Sequence, residues 1–164
     1  MTDSLEIDPS AVVSPDARIY PSLRGTRVVI GAGCHLEPFA LIKCVGGSGD
    51  IVIGSNCYIN PFCVLYSGNG IRLGNDVLLA PGVKLVPANH EFASLDRPIR
   101  EQGFRPSKGG IEIGDDVWIG ANSIVLDGSR IGDGAIIGAG SLVAGVVPPF
   151  EVWGGNPLVR IRAR

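Results

Sequence analysis

The stretch from residue 113 to residue 147 decides the fold and has the sequence IGDDVWIGANSIVLDGSRIGDGAIIGAGSLVAGVV. A branched aliphatic residue recurs in it at every sixth position. These positions are Ile113, Ile119, Val125, Ile131, Ile137 and Val143. The residue after each of them is mostly glycine, and the residue four places after each is small or β-branched. Internal repetition at a fixed period indicates a protein built from stacked repeats.

The same frame continues upstream, interrupted by insertions. Three steps of six residues make one turn with three short strands. The aliphatic positions of the upstream turns are Ile7, Val13 and Ile19; Ile30, Leu36 and Ile42; Ile53, Ile59 and Leu65; and Leu73, Leu79 and Leu85. The insertions between turns are GGSGD, SGNG and a long loop at about residues 91–110. Glycine and small polar residues in the two short insertions are typical of turns.

This frame predicts an all-β fold, a parallel β-helix of hexapeptide repeats. Each aliphatic residue points inward and stacks on its equivalent in the next coil, and coils ~4.8 Å apart pair as parallel strands. We expect the glycine after each aliphatic residue to adopt a positive φ at a tight bend. Cys34, Cys57 and Cys63 fall at the small inward position, which predicts core residues. Cys34 and Cys57 are equivalent on neighbouring coils, so a disulfide between them stays geometrically open.

The composition limits the number of domains and the kinds of partner that can be expected. The 164 residues fit one solenoid domain over 1–164, and a net charge of −2 provides no broad basic face for nucleic acid. The N-terminus is polar and no apolar run approaches the ~20 residues of a membrane span, so we expect a cytoplasmic protein. The C-terminal segment at about 148–164 leaves the frame at Pro148 and Pro149. Asn156-Pro157 suggests a short C-terminal helix, because proline suits the first helical position.

Several stretches together carry a family likeness. The sequence contains NHEF at 89–92, DRPI at 96–99, IEIGDDVWIGANSIVL at 111–126, IGDGAIIGAGSLV at 131–143 and VPPFEVWGGNP at 147–157. From about residue 53 to residue 162 the chain resembles the hexapeptide-repeat acetyltransferases, and within them the galactoside, maltose, xenobiotic and polysaccharide O-acetyltransferases. The resemblance implies a left-handed β-helix, a homotrimer with active sites between neighbouring subunits, and acetyl-CoA as co-substrate.

The resemblance also implies site residues. His90, on or at the base of the long loop, corresponds to the catalytic base, which takes the acceptor's proton during attack on the thioester. Asn60 corresponds to an acceptor-binding residue, and its alternative is a turn asparagine. Trp118 points outward, either as a wall near the acceptor or as trimer packing. Glu91 and Asp96 near His90 are either orienting groups or solvated loop charges.

For coenzyme A the resemblance points to backbone along the coils and to a basic residue. The expected binding residues are Ala121, Ala139, Ser141, Ala144 and Arg162. Small corner residues and a solvated basic tail are the structural alternatives. The chain departs from the family pattern in having Gly145 where a lysine near coenzyme A is usual, and Val159 where a basic residue is usual.

These observations leave four functions open. The first is O-acetylation of a sugar or polysaccharide hydroxyl by acetyl-CoA, with direct transfer and no covalent enzyme intermediate. N-acetylation of an amino sugar or xenobiotic is the alternative. A γ-type carbonic anhydrase needs three histidines per zinc ion, whereas this chain has only His35 and His90. A non-catalytic scaffold is the fourth.

Overall fold

The computed structural model describes residues 4–164, which form 21 short strands and one 3-10 helix, Ile99–Glu101. In chain order the strands are β1 (Leu5–Ile7), β2 (Val12–Val13), β3 (Arg18–Tyr20), β4 (Val28–Ile30), β5 (His35–Leu36), β6 (Leu41–Lys43), β7 (Ile51–Ile53), β8 (Tyr58–Ile59), β9 (Val64–Tyr66), β10 (Ile71–Leu73), β11 (Leu78–Leu79), β12 (Lys84–Val86), β13 (Ile111–Ile113), β14 (Trp118–Ile119), β15 (Ile124–Leu126), β16 (Arg130–Ile131), β17 (Ile136–Ile137), β18 (Leu142–Val143), β19 (Val146–Val147), β20 (Glu151–Gly154) and β21 (Val159–Ala163).

The strands form three sheets, and every third strand belongs to the same sheet. The first sheet has the order β1-β4-β7-β10-β13-β16-β19, the second β2-β5-β8-β11-β14-β17-β20-β21, and the third β3-β6-β9-β12-β15-β18. All neighbours pair in parallel except β20 and β21. Each coil therefore contributes one strand to each side of a triangular prism. The all-β prediction is confirmed, and the three parallel sheets are consistent with a left-handed β-helix.

The core runs along the axis of the prism and consists of the aliphatic positions of the six-residue frame. On the first sheet, for example, Ile53 pairs in register with Leu73, and Leu73 with Ile113. All three side chains are buried. Such a stack removes apolar surface from water at every coil, which contributes the main favourable term in folding. It also fixes the register, since a one-residue slip would turn the whole row outward.

The cysteines Cys34, Cys57 and Cys63 lie fully buried in this core, as predicted, and all four cysteines are free thiols. The Sγ of Cys34 donates to the carbonyl oxygen of Gly54 at 2.9 Å. Burial raises the pKa of the Cys57 thiol to about 12 and that of Cys63 to about 11. The thiols of Cys57 and Cys63 therefore stay protonated and unreactive, because the thiolate is the reactive form. All three cysteines act as small core residues.

The glycine after each aliphatic residue does not adopt a positive φ, which corrects the sequence-based expectation. Positive φ falls two residues later, at Gly33 and Asn56 for instance. At Gly31 itself, an added Cβ would lie 2.5 Å from the carbonyl oxygen of Gly54 on the next coil. Glycine is needed at this position because the backbones of adjacent coils approach too closely for a side chain.

The predicted C-terminal helix is wrong. Strands β20 and β21 form an antiparallel hairpin, and within residues 4–164 there is no α-helix. Val159, Ile161 and Ala163 alternate with arginines, a pattern that suits a strand better than a helix. The hairpin places β21 along the last edge of the second sheet, where exposed backbone groups would otherwise be open to another chain.

No helix in the described part of the chain is long and apolar enough to cross a membrane.

Two edges of the prism carry the residues of functional interest. The edge between the third and first sheets carries the insertions, namely residues 44–50, 67–70 and 87–110, and is named the loop edge. The edge between the second and third sheets carries Ala121 and Ala139 and is named the alanine edge. The long loop thus starts four residues earlier than predicted, directly after β12, and ends where β13 begins.

Candidate active site

The long loop, residues 87–110, forms an ordered arm with two paired segments. The outgoing limb, around residues 89–91, pairs with the returning limb, around residues 103–105. The backbone N–H of Arg105 donates to the carbonyl oxygen of Asn89 at 2.9 Å, and that of Glu91 to Gly103 at 3.0 Å. His90 and Phe104 lie opposite each other in an isolated antiparallel bridge. His90 therefore sits on the outgoing limb, and its position depends on the limb that returns to the solenoid.

The His90 imidazole lies exposed on the surface and stacks on the ring of Phe104. The two ring centroids are 4.8 Å apart with an interplanar angle of 29°. Phe104 in turn lies over the turn at Gly46, where an added Cβ would be 3.6 Å from the phenyl ring. Within residues 4–164 neither ring nitrogen of His90 has a hydrogen-bond partner. The imidazole is thus oriented by stacking, and both nitrogens remain available to a bound molecule.

The neighbouring carboxylates do not orient His90. Glu91 accepts hydrogen bonds from the backbone N–H of Phe92 at 2.8 Å and of Ala93 at 3.0 Å, and Arg105 lies 3.9 Å away. These donors, Phe92 first, lower the pKa of the Glu91 carboxyl. Asp96 is exposed, and its backbone N–H bonds the hydroxyl of Ser94. The Glu91 carboxylate therefore stabilises the arm itself, whereas Asp96 contributes only its backbone N–H.

The root of the arm is held by Asp127, a residue that the sequence reasoning missed. Its carboxylate accepts from the backbone N–H of Lys108 at 2.8 Å, from that of Gly110 at 2.9 Å and from Nδ2 of Asn69 at 2.9 Å. Arg130 adds bonds from its guanidinium to the carbonyl oxygens of Gly110, at 3.0 Å, and Gly109, at 3.1 Å. The sequence contains one signal that could have identified Asp127. It is a polar residue at a position that the six-residue frame places at a corner.

Asn60 lies at the alanine edge, directly after β8. Its Nδ2 donates to the carbonyl oxygen of Leu79 on the next coil at 2.8 Å, and its backbone N–H reaches the same oxygen at 3.2 Å. Through these bonds Asn60 ties its own coil to the next one at the corner. Its assignment to acceptor binding stays a prediction.

Trp118 lies in β14 on the outer face of the second sheet and is 48% exposed. It pairs in register with Leu78 below and Ile136 above, so three large apolar side chains form a column on this face. His35 lies on the same face in β5 and stacks on Tyr58 with ring centroids 4.3 Å apart. His35 therefore belongs to a strand of the second sheet and not to the arm that carries His90.

Of the residues expected to bind coenzyme A, Ala121 and Ala139 lie on the alanine edge, one coil apart. The backbone N–H of Gly140 bonds the carbonyl oxygen of Ala121 at 2.8 Å. Ser141 is buried, and its hydroxyl donates to Gly138 at 2.6 Å and accepts from the N–H of Gly155 at 3.0 Å. These internal contacts give Ser141 a structural role, and its coenzyme contact stays a prediction that they do not support.

Ala144 and Arg162 lie elsewhere. Ala144 is exposed at the loop edge and lines a cleft of 370 Å³ near the C-terminal hairpin. Arg162 pairs directly across from Val152, whose side chain is on the outer face of the second sheet. Arg160 and Arg164 form ion pairs with Glu151 and Asp116, at 2.8 and 2.7 Å. Arg162 is the terminal arginine without a carboxylate partner among residues 4–164.

One chain does not bring the predicted site residues together. His90 and Ala144 lie on the loop edge, whereas Asn60, Ala121 and Ala139 lie on the alanine edge. The third sheet separates the two edges by roughly 17 Å, which is about five residues at ~3.3 Å each.

A cleft of 600 Å³ lies on the first sheet around Arg72 and Arg130 and contains none of the predicted residues. It is an open groove whose lining includes no histidine, and the carboxylate of Glu112 in it is paired with Arg130 at 3.2 Å. The arm that carries His90 is therefore the stronger candidate for the site of chemistry.

Comparison with known proteins agrees with the six-residue repeat and with the fold. A family model described as bacterial transferase hexapeptide (six repeats) matches residues 110–145. The galactoside O-acetyltransferase of Lactococcus lactis is 34% identical over 128 residues, covering 78% of this chain and 59% of that protein. Curated relatives are matched over only 25% to 63% of their own length.

Solved structures of other proteins share the fold. A hexapeptide-repeat-containing acetyltransferase from Vibrio cholerae aligns with a TM-score of 0.62 and 30% identity, covering 80% of this chain and 73% of that one. An N-acyltransferase from Bacillus cereus, solved with dTDP and 3-hydroxybutyryl-CoA, aligns with a TM-score of 0.80 and 23% identity, covering 98% and 82%. At the latter identity the likeness concerns the fold alone.

Proposed function

The chain belongs to the family of hexapeptide-repeat acetyltransferases, and from this premise we propose that it transfers an acetyl group from acetyl-CoA to a hydroxyl of a sugar or polysaccharide. The observation that carries the proposal is the exposed imidazole of His90, oriented by Phe104 and without an internal partner. A surface histidine with only a structural role would not need an anchored arm to present it.

The proposed active site lies between two copies of the chain in a homotrimer. His90 comes from the loop edge of one copy, and Trp118, Ala121 and Ala139 come from the alanine edge and second sheet of its neighbour. The separation of these two edges within one chain supports this arrangement, because neither edge alone offers both a base and a groove of small residues. A closed ring of three copies gives each loop edge one alanine edge to face.

In the proposed reaction His90 acts first as base and then as acid. The imidazole takes the proton of the acceptor hydroxyl while the hydroxyl oxygen forms a bond to the acetyl carbonyl carbon. The bond between that carbon and sulfur breaks, and the imidazolium returns the proton to the departing thiolate. Imidazole can do both near neutral pH. No side chain of the protein becomes acylated.

Coenzyme A is proposed to lie along the alanine edge towards the C-terminal hairpin. Ala121 and Ala139 are small enough for its amide-bearing arm to approach the backbone, and Arg162 has no internal carboxylate to compete with a phosphate among the described residues. A guanidinium binds phosphate oxygens well because its N–H groups form a planar fork. Ala144 of a neighbouring copy would lie on the facing loop edge.

An amine acceptor is the alternative. The galactoside O-acetyltransferase among the relatives favours a hydroxyl, whereas the Bacillus cereus protein with the same fold is described as an N-acyltransferase. The same histidine serves either acceptor, since both require removal of a proton from the attacking group.

The test is turnover of acetyl-CoA with a panel of sugars, amino sugars and polysaccharide fragments. Coenzyme A release should be followed by chromatography, so that the protein's own thiols do not contribute. We expect turnover with a hydroxyl acceptor and a loss of at least ~100-fold in kcat for His90→Ala, the size of a general-base contribution. His35→Ala is the matched control, because it removes the other histidine, which stacks on Tyr58 within a strand of the second sheet.

Three results would count against the proposal. Turnover with amines alone would replace the hydroxyl acceptor by an amine. Full turnover in His90→Ala would remove the histidine from the chemistry. Absence of both turnover and coenzyme A binding would leave the solenoid without the proposed activity.

A further inference from the structure

Hydrogen bonds hold both ends of the arm to the same part of the loop edge. On the outgoing side, the backbone N–H of Asn69 bonds the carbonyl oxygen of Pro87 at 2.9 Å. On the returning side, the carboxylate of Asp127 accepts the N–H groups of Lys108 and Gly110. These two sets of hydrogen bonds are connected, since Nδ2 of Asn69 donates to the Asp127 carboxylate at 2.9 Å.

Asp127 is built into this position. Its side chain is only 5% exposed, and it forms no ion pair within residues 4–164. Its charge is therefore met by three neutral N–H donors, and hydrogen bonds to an ionised carboxylate are about twice as strong as neutral ones. The turn is equally constrained, because a Cβ at Gly128 would lie 2.9 Å from the Cβ of Lys108.

We propose that Asp127 is a positioning residue for His90, which acts by fixing the returning limb of the arm. The inference rests on the proposed function of His90 as the base. Asp127 holds residues 108 and 110, the returning limb carries Phe104, and Phe104 carries the imidazole through the bridge and the ring stack. A shift at the root of the arm therefore becomes a shift of the base.

The sharpest variant is Asp127→Asn, which keeps the shape of the side chain. The new amide has one acceptor oxygen in place of two, so at least one of the three donors must face its NH₂ group. The inward aliphatic residues of the solenoid are untouched. Asn69→Ala removes the third donor from the other side and is expected to act in the same direction.

The experiment combines kinetics with hydrogen exchange on the full-length protein. In Asp127→Asn we expect kcat to fall by ~10- to 100-fold, because small misplacements of a reacting group have effects of that order. The affinity for acetyl-CoA, measured by calorimetry, should change less than about twofold, since the proposed coenzyme groove is on the other edge. Amide exchange should accelerate within residues 87–110 and stay unchanged in the strands.

The matched control is Ser129→Ala, two residues along the same turn. Its buried hydroxyl donates to the carbonyl oxygen of Val143 and has no contact with the arm. It should lower the melting temperature without accelerating exchange in the arm and without lowering kcat per folded molecule. A purely structural role for Asp127 predicts that same pattern for Asp127→Asn.

The proposal is overturned if Asp127→Asn leaves exchange in the arm unchanged, or if exchange accelerates while kcat does not fall. If Asp127→Asn fails to fold, Asn69→Ala decides the matter by the same two readouts. Failure of the proposed function is separately visible, because His90→Ala would then keep its turnover while the exchange data still report on the anchoring of the arm.

Discussion

At the scale of the residue, the glycine that comes after each inward aliphatic side chain sets how closely the coils can stack. At Gly31 the facing atoms are backbone, the carbonyl group of Gly54, which cannot rotate away as a side chain could. The N–H of Gly31 also bonds the carbonyl oxygen of Ile53 at 2.9 Å, so the two coils are tied together at that point. At Gly31, and likewise at Gly54 and Gly120, glycine thus reflects packing between coils and not local backbone conformation.

Gly31→Ala should therefore destabilise the solenoid by about 1–3 kcal/mol, the usual effect of forcing an extra methyl group into a packed site. The matched control is Gly145→Ala, where nothing lies within 4 Å of an added Cβ and φ is not positive. That change should be neutral or stabilise by about 0.5 kcal/mol, because alanine restricts the unfolded chain. Urea unfolding at one fixed protein concentration measures both, and equal effects of the two changes would contradict a packing role for Gly31.

At the scale of the element, the C-terminal hairpin depends on one carboxylate. Glu151 accepts from Nε1 of Trp153 at 2.7 Å and from Nε of Arg160 at 2.8 Å. These contacts, that of Trp153 first, lower the pKa of the Glu151 carboxyl. A carboxyl whose pKa is lower in the folded state stabilises that state above its unfolded pKa. The stabilisation is lost as the pH falls through the folded pKa.

We expect the hairpin to loosen as the pH falls below the ordinary glutamate pKa of about 4.3, because the pKa of Glu151 in the folded state lies below that value. In a Trp118→Phe background, Trp153 is the remaining tryptophan, and its fluorescence should change with pH in that region. Glu151→Gln removes the titrating group and should flatten this part of the curve. An identical pH response in both proteins would show that Glu151 does not control the hairpin.

The sequence predicted those elements whose determinants are local and periodic. The aliphatic frame located the strands and the inward cysteines, because each coil repeats the packing of the one before it. The hairpin was missed because residues 151–163 match no frame and gain their partner by folding back. The hydrogen bond between Asn69 and Asp127 joins residues 58 positions apart, and no short-range sequence pattern predicts that contact. His90 was found through resemblance, whereas its stacking on Phe104 needed the structure.

At the scale of the whole molecule, the outer surfaces of the three sheets differ. The first sheet presents charged residues such as Arg72, Glu112 and Arg130, with Arg130 and Glu112 paired at 3.2 Å. The second sheet presents the apolar column that includes Leu78 and Trp118, each at least 40% exposed. An exposed apolar surface of this kind is typical of a protein interaction site. This asymmetry fits the proposed trimer, in which the second sheet of one copy faces the arm of the next.

Complementation between two inactive variants tests the shared site directly. His90→Ala lacks the base but keeps the alanine edge, and Ala139→Trp keeps the base but blocks the groove. If each site uses His90 from one copy and Ala139 from its neighbour, mixed trimers formed at equal ratio should restore about a quarter of the sites. Activity of the refolded mixture, set against each variant refolded alone, measures this. Mixed trimers that form, as native mass spectrometry would show, and yet stay inactive would place both residues in a site within one chain.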